Sequence, residues 1–217
     1  MEQLTVNVVV AVHSRAGHAL DLAQAIAEGA QQQQGAVVRL RRVPEIEPEE
    51  ELRAHPRFGA AFSERVAPLP IATLADLTWA DAIILGCGTR FGGPSAELAH
   101  FLEQAGGLWL QGALVGKVGA AFATASTPHG GLEMTVQSIL VHLMHLGLIV
   151  VTPGYADPIM HEAGSPYGAV ARAGGPARRA VSDPDRAAAR FLGYRVADVA
   201  RRVRPVAEPT APAPGLP

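Results

Sequence analysis

The chain has 217 residues, 48% of them hydrophobic, and 18 basic against 20 acidic side chains for a net charge of -2. That is enough apolar chain for one domain with a full core, while the charge balance offers no footprint for nucleic acid or an anionic membrane surface. The single cysteine, Cys87, allows no intrachain disulfide and fits a reducing, cytoplasmic compartment; no basic or apolar leader follows Met1, and no apolar run approaches the ~20 residues of a membrane span, so stable membrane insertion is not expected.

The first element is a run of small apolar residues, Val8 to Val12, which reads as a strand buried on both faces. Ser14 to Gly17 interrupts it with turn-forming residues, and a helical pattern follows over 19–30 with Leu22 and Ile26 four apart. Strand, short polar loop and helix together aim unpaired backbone N–H groups and a positive helix end at whatever lies over the loop, and an anion is the natural occupant. The loop carries neither G-x-x-x-x-G-K-[ST] nor G-x-G-x-x-G, so neither common nucleotide motif is offered.

A second strand is expected over 36–40. An acidic, proline-bearing segment from Pro44 then opens a connection reaching Ile71, long enough to be functional or mobile, its charge run reading as solvated surface. The third strand, 82–85, ends in Gly86-Cys87-Gly88-Thr89-Arg90-Phe91-Gly92-Gly93, where glycines let backbone approach a ligand; Ser95 is placed to cap a helix over 96–103. The fourth strand, 117–123, runs into a polar loop from Thr124 to Gly131, followed by a helix over 132–147 and a fifth strand over 148–151. Residues 154–175 read as irregular, 184–202 as a final helix and 205–217 as a disordered Pro/Ala-rich tail, which leaves 1–204 as one domain. Strands alternating with helices predict a parallel sheet covered on both faces, with three loops converging at the strands' carboxyl ends, where such sheets bind ligands.

The histidines 13, 18, 129, 142 and 145 have no accompanying carboxylates at ligand spacing, so no metal site is expected; no G-x-S-x-G occurs, and Cys87 reads as a small buried residue.

Taken together the loops resemble the WrbA family of flavodoxin-like NAD(P)H:quinone oxidoreductases. Ser14-Arg15-Ala16-Gly17-His18 stands where that family reads S-x-Y-G-H, and Gly88-Thr89-Arg90-Phe91-Gly92 where it reads P-T-R-F-G. Phe101 to Trp109 matches F-L-x-Q-x-G-G-L-W, Ser126 to Glu133 the loop ending H-G-G-x-E, His145-Leu146-Gly147 the helix end H-x-G, and Gly164 to Ala169 the late G-S/T-P-Y-G-A. The match spans nearly the whole chain apart from the tail.

The resemblance implies an α/β, flavodoxin-like three-layer sandwich with a twisted five-stranded parallel sheet, bound FMN, NADH or NADPH as co-substrate, quinone as acceptor and a homotetramer. It implies that Ser14, Arg15, Ala16, Gly17, His18 and Ala19 hold the FMN phosphate, and that Thr89, Arg90 and Phe91 line the ribityl chain and ring. Thr124, Ala125, Ser126, Thr127, Pro128, His129 and Gly130 would close around the ring with His145 nearby, and Trp109 would pack where nicotinamide or quinone stacks. No protein nucleophile is needed, because the cofactor carries the redox step. Ala16, Gly88 and Pro128 depart from the family's tyrosine, proline and glutamine, and these departures predict weakened FMN affinity or nicotinamide use. The alternatives are a flavin-binding electron carrier and a flavodoxin-like interaction module without flavin. The long 44–71 and 154–182 segments are where subunit contacts are expected.

Overall fold

The structure, a computed structural model, describes residues 5–174 and 179–203; the tail expected at 205–217 lies outside them. β1 (Val6–His13) lies inside the sheet, parallel to β2 (Ala36–Arg42) at the edge on one side and β3 (Ala82–Gly88) on the other. β4 (Val118–Ala125) continues from β3, giving the order β2-β1-β3-β4-β5. The five expected positions are present, but the fifth is shared. β5 (Ile149–Val150) pairs with Val118 and Gly119, and an unforeseen β6 (Ala169–Arg172) pairs with Phe122 to Ala125 along the same edge. β5 falls within the strand expected over 148–151, whereas the four residues of β6, in a stretch expected to be irregular, are too short to give a strand signal in sequence.

The strand pattern explains the layers. Successive strand residues point to opposite faces, so Val8, Val10 and Val12 pack with Leu22 and Ile26 of α1 (His18–Gln31) and Leu192 and Val196 of α9 (Asp183–Val203). Val9 and Ala11 pack on the other face with α5 (Ala96–Glu103) and α7 (Leu132–His145) through Leu98, Phe101, Ile139 and Leu143. α1 and α9 touch backbone to backbone: a Cβ on Gly29 would stand 1.9 Å from the Arg190 carbonyl oxygen, and one on Gly193 1.9 Å from that of Ile26.

The connection 44–71, expected to be functional or mobile, is ordered and largely helical, and Glu47, Glu50 and Glu51 of its charge run are exposed as expected. It holds α2 (Glu49–Ala54), a single turn α3 (Gly59–Ala61) and a π-helical stretch (Phe62–Val66). Glu49, Glu50 and Glu51 occupy the first turn of α2, where the helix dipole favours negative charge, and Leu52, Phe62 and Val66 are buried in the α1/α9 core. α4 (Leu74–Trp79), α6 (Gly106–Leu110) and α8 (Ile159–Ala163) complete the chain, α8 falling in the stretch expected to be irregular.

Register decides where the loops go. His13 aligns with Cys87 and Gly88 with Thr124. The chain therefore leaves β1, β3 and β4 at one level, and their three following loops lie side by side.

Candidate functional site

The first loop ends at Gly17, the N-cap of α1, with φ 92°, a left-handed conformation that L side chains resist. No side chain caps α1, so its first-turn N–H groups stay open to a ligand. The buried Ser14 hydroxyl accepts from the Gly17 N–H at 3.1 Å and draws the loop into a compact ring.

The second loop turns back on itself through paired backbone bonds between Arg90 and Gly93, both 2.9 Å, and is tied to β4 by Thr89 N–H to the Thr124 carbonyl at 2.8 Å. Phe91 sits at the tip with φ 52° and a fully solvent-exposed ring. The third loop meets the second at Gly131, the N-cap of α7. Its φ is 86°, and an added Cβ would lie 2.6 Å from the Gly92 Cα. The Thr135 hydroxyl reaches Thr89 Oγ1 at 2.7 Å and the Gly93 carbonyl at 3.2 Å, stitching α7 to the second loop.

These loops enclose a cleft of about 370 Å³, within the range of small-molecule sites. Ser14, Arg15, Ala16, His18 and Ala19 line it with Thr89, Arg90, Thr124, Ala125 and Ser126, together with His13, Gly88 and Ala173. A further wall comes from His55, Arg57 and Phe58, in the long connection between β2 and α4. Its only advance signal was its length. Gly17, Phe91, Thr127, Pro128, His129 and Gly130 stand in the same loops without lining the cleft, and Thr127 to His129 are exposed. Trp109 and His145 are elsewhere in the chain. They line a separate groove of about 460 Å³ with Leu102, Gly106, Val141 and Leu146, because α5, α6 and α7 form the flank of one helical layer.

Beneath the first loop lies an ionic network that no sequence spacing announced. The His13 ring is buried with Nε2 3.1 Å from Glu45 Oε2 and Nδ1 3.5 Å from Glu97 Oε2. Arg15 reaches Glu97 at 2.7 Å and Glu47 at 3.1 Å. His13, Glu45 and Glu97 offer ligand atoms within 4.8 Å of one another, a set compatible in type with a metal. However, the two carboxylates face opposite nitrogens of one ring, and Arg15 already supplies Glu97 with a cation. Burial works to raise the Glu97 carboxyl, but His13 and Arg15 outweigh it and hold it below the ordinary carboxylate range. Cys87 is buried at the foot of the second loop, where desolvation pushes its thiol up and the Ser95 N–H donates to its sulfur at 3.3 Å. That is the environment of an inert thiol.

The family model for NADPH-dependent FMN reductase matches residues 4–159. Among related proteins, the NAD(P)H dehydrogenase (quinone) of Methylocella silvestris is 45% identical over 206 residues, covering 91% of this chain and 98% of that protein. The protein of the same name from Geotalea uraniireducens is 42% identical over 205 residues with the same shares covered. Among solved structures, the WrbA-like flavodoxin from Agrobacterium tumefaciens superposes with a TM-score of 0.64 at 27% identity, covering 92% of this chain and all of that one.

Proposed function

The chain belongs to the NADPH-dependent FMN reductase family, among its WrbA-like NAD(P)H dehydrogenases (quinone), and from that premise we propose that it is an FMN-dependent NAD(P)H:quinone oxidoreductase. The observation that carries the reading is the cleft at the carboxyl ends of β1, β3 and β4, built against the uncapped start of α1.

The residues present fit FMN. A phosphate dianion needs several donors and a favourable potential. The open N–H groups of α1 and the Ser14 hydroxyl provide donors, and the cleft's guanidiniums provide charge. Thr89, Thr124 and Ser126 carry hydroxyls for a polyol chain, and Gly88 leaves backbone accessible beside them. When bound, FMN would supply two-electron hydride chemistry between a reduced nicotinamide and a quinone. The chain's own part is to bind and orient. Loop 14–19 fixes the phosphate end. The Thr135–Thr89 contact and the close approach of Gly131 to Gly92 hold the second and third loops at a set separation around the ring.

Exposed apolar side chains on α6, α7 and the segment before β4, among them Trp109, Val115, Val141 and Met144, support a homotetramer in which this face is covered. Assembly is also what would carry Trp109 and His145 of one subunit to the substrate space of another. A Trp109→Glu variant that sediments as the wild type does would refute this arrangement. Cytoplasmic residence is supported by the single, buried thiol.

The test of the activity is anaerobic. FMN-loaded protein should lose its visible flavin absorbance on adding NADH or NADPH and regain it with a benzoquinone, in equal two-electron amounts. A tightly bound flavin that neither nicotinamide bleaches would refute the oxidoreductase reading.

A further inference from the structure

We propose that the turn 55–58 is part of the cofactor site and that Arg57 is a ligand for the cofactor's phosphate, an assignment that rests on the FMN reading above. Three observations carry it. The first is position: His55, Arg57 and Phe58 line the same cleft as Ser14 to Ala19. The segment behind the turn is fastened to that loop, with Arg65 paired to Asp21 of α1 and standing 2.6 Å from where a Gly17 Cβ would be.

The second is charge. Of the guanidiniums around the first loop, Arg15 is paired with Glu97 and Glu47, and Arg65 with Asp21. Arg57 has no carboxylate partner among the described residues, and neither has Arg90 of the second loop, which lines the same cleft. Asp21 places a negative charge in the first turn of α1, where it opposes an incoming phosphate. Arg65 and, at 4.0 Å, Arg186 offset it. Of the two, Arg57 belongs to the segment that Arg65 fastens to the first loop, and it is the cation left there for a ligand.

The third is that the turn is built. The His55 and Phe58 rings stack at 3.8 Å and 11°. His55 Nδ1 accepts from the Arg57 N–H at 3.2 Å, the Gly59 N–H donates to the His55 carbonyl at 2.8 Å, and Arg15 lies over Phe58 at 5.8 Å. Phe62 and Val66 anchor the far side in the core. Ala16 leaves the first loop without an aromatic side chain, and the stacked pair supplies an aromatic wall to the same cleft from a different part of the chain. The weakening of FMN affinity expected from Ala16 is thus offset by residues outside the matched motifs.

The experiment compares FMN with riboflavin, which lacks the phosphate, by fluorescence titration of wild type, Arg57→Gln and Phe58→Ala. A charge-assisted hydrogen bond to phosphate corresponds to a roughly tenfold or greater loss. We expect Arg57→Gln to weaken FMN by about that factor while changing riboflavin by less than about twofold. Phe58→Ala should weaken FMN by a smaller factor, because it loosens the turn without removing the charge. Arg57→Gln binding FMN as tightly as the wild type does, or losing FMN and riboflavin equally, would overturn the assignment while leaving the FMN reading intact. A wild type that binds neither would overturn both.

Discussion

Replacing Glu97 with Gln tests the network beneath the first loop. The carboxylate is 92% excluded from solvent and lies 2.7 Å from Arg15 and 3.5 Å from His13. At an effective dielectric of ~20 each contact represents about 4–6 kcal/mol of Coulomb attraction, most of it offset by desolvating the charges. Removing one partner of a buried pair costs about 3–5 kcal/mol. Here Arg15 keeps Glu47 and His13 keeps Glu45, so the loss should be smaller, about 2–3 kcal/mol. For a domain of this length that lowers Tm by about 5–10 °C at pH 7. The pH dependence has a definite sign. His13 and Arg15 hold the folded carboxyl below its ordinary 4.5. Its stabilisation is thus complete above the unfolded value and disappears as pH falls through the folded one. Urea denaturation from pH 7 down through the ordinary carboxylate value to about pH 3 should therefore show, below 4.5, a shallower acid loss in Glu97→Gln than in wild type. Equal stability within about 0.5 kcal/mol at pH 7, or parallel pH profiles, would show that the network contributes no net stability.

Gly131→Ala should cost about 2–4 kcal/mol, because it forces a left-handed φ and a Cβ into the Gly92 backbone; chemical denaturation measures it, and FMN affinity should fall as the second and third loops separate. Gly29→Ala gains about 1 kcal/mol of helix propensity yet places a methyl group against the Arg190 carbonyl. It should nonetheless lower Tm, and an unchanged melt would mean that α1 and α9 can part at little cost. Ser14→Ala removes the acceptor for the Gly17 N–H and should cost about 1 kcal/mol of stability; FMN titration should show a loss of about tenfold.

The strand–loop–helix unit at 8–30 was legible because its signals are local: a doubly apolar strand, turn residues and a 3.6-residue repeat. The same holds for the loops after β3 and β4, and the motifs in them carried the family resemblance and so the cofactor. Of the shared fifth position, β5 was legible within 148–151 but β6 was not, since β6 is defined by the edge of β4 it pairs with and not by any pattern of its own. The helices within 44–71 were hidden by proline and by the charge run, and only core burial of Leu52, Phe62 and Val66 explains why that segment is ordered.

The sequence by itself determined the alternation of strands and helices, the three loops at the carboxyl ends and the chemistry these residues resemble. All of that follows from short-range periodicity and motif spacing. Tertiary structure alone decided which side chains meet. His13 finds Glu45 and Glu97 across 32 and 84 residues of chain, Arg57 reaches the cleft from a connection, and Trp109 and His145 lie outside it. The physical reason is that such meetings depend on strand register and on how helices seat against the sheet. Both are set by the whole core at once, and no local stretch encodes them.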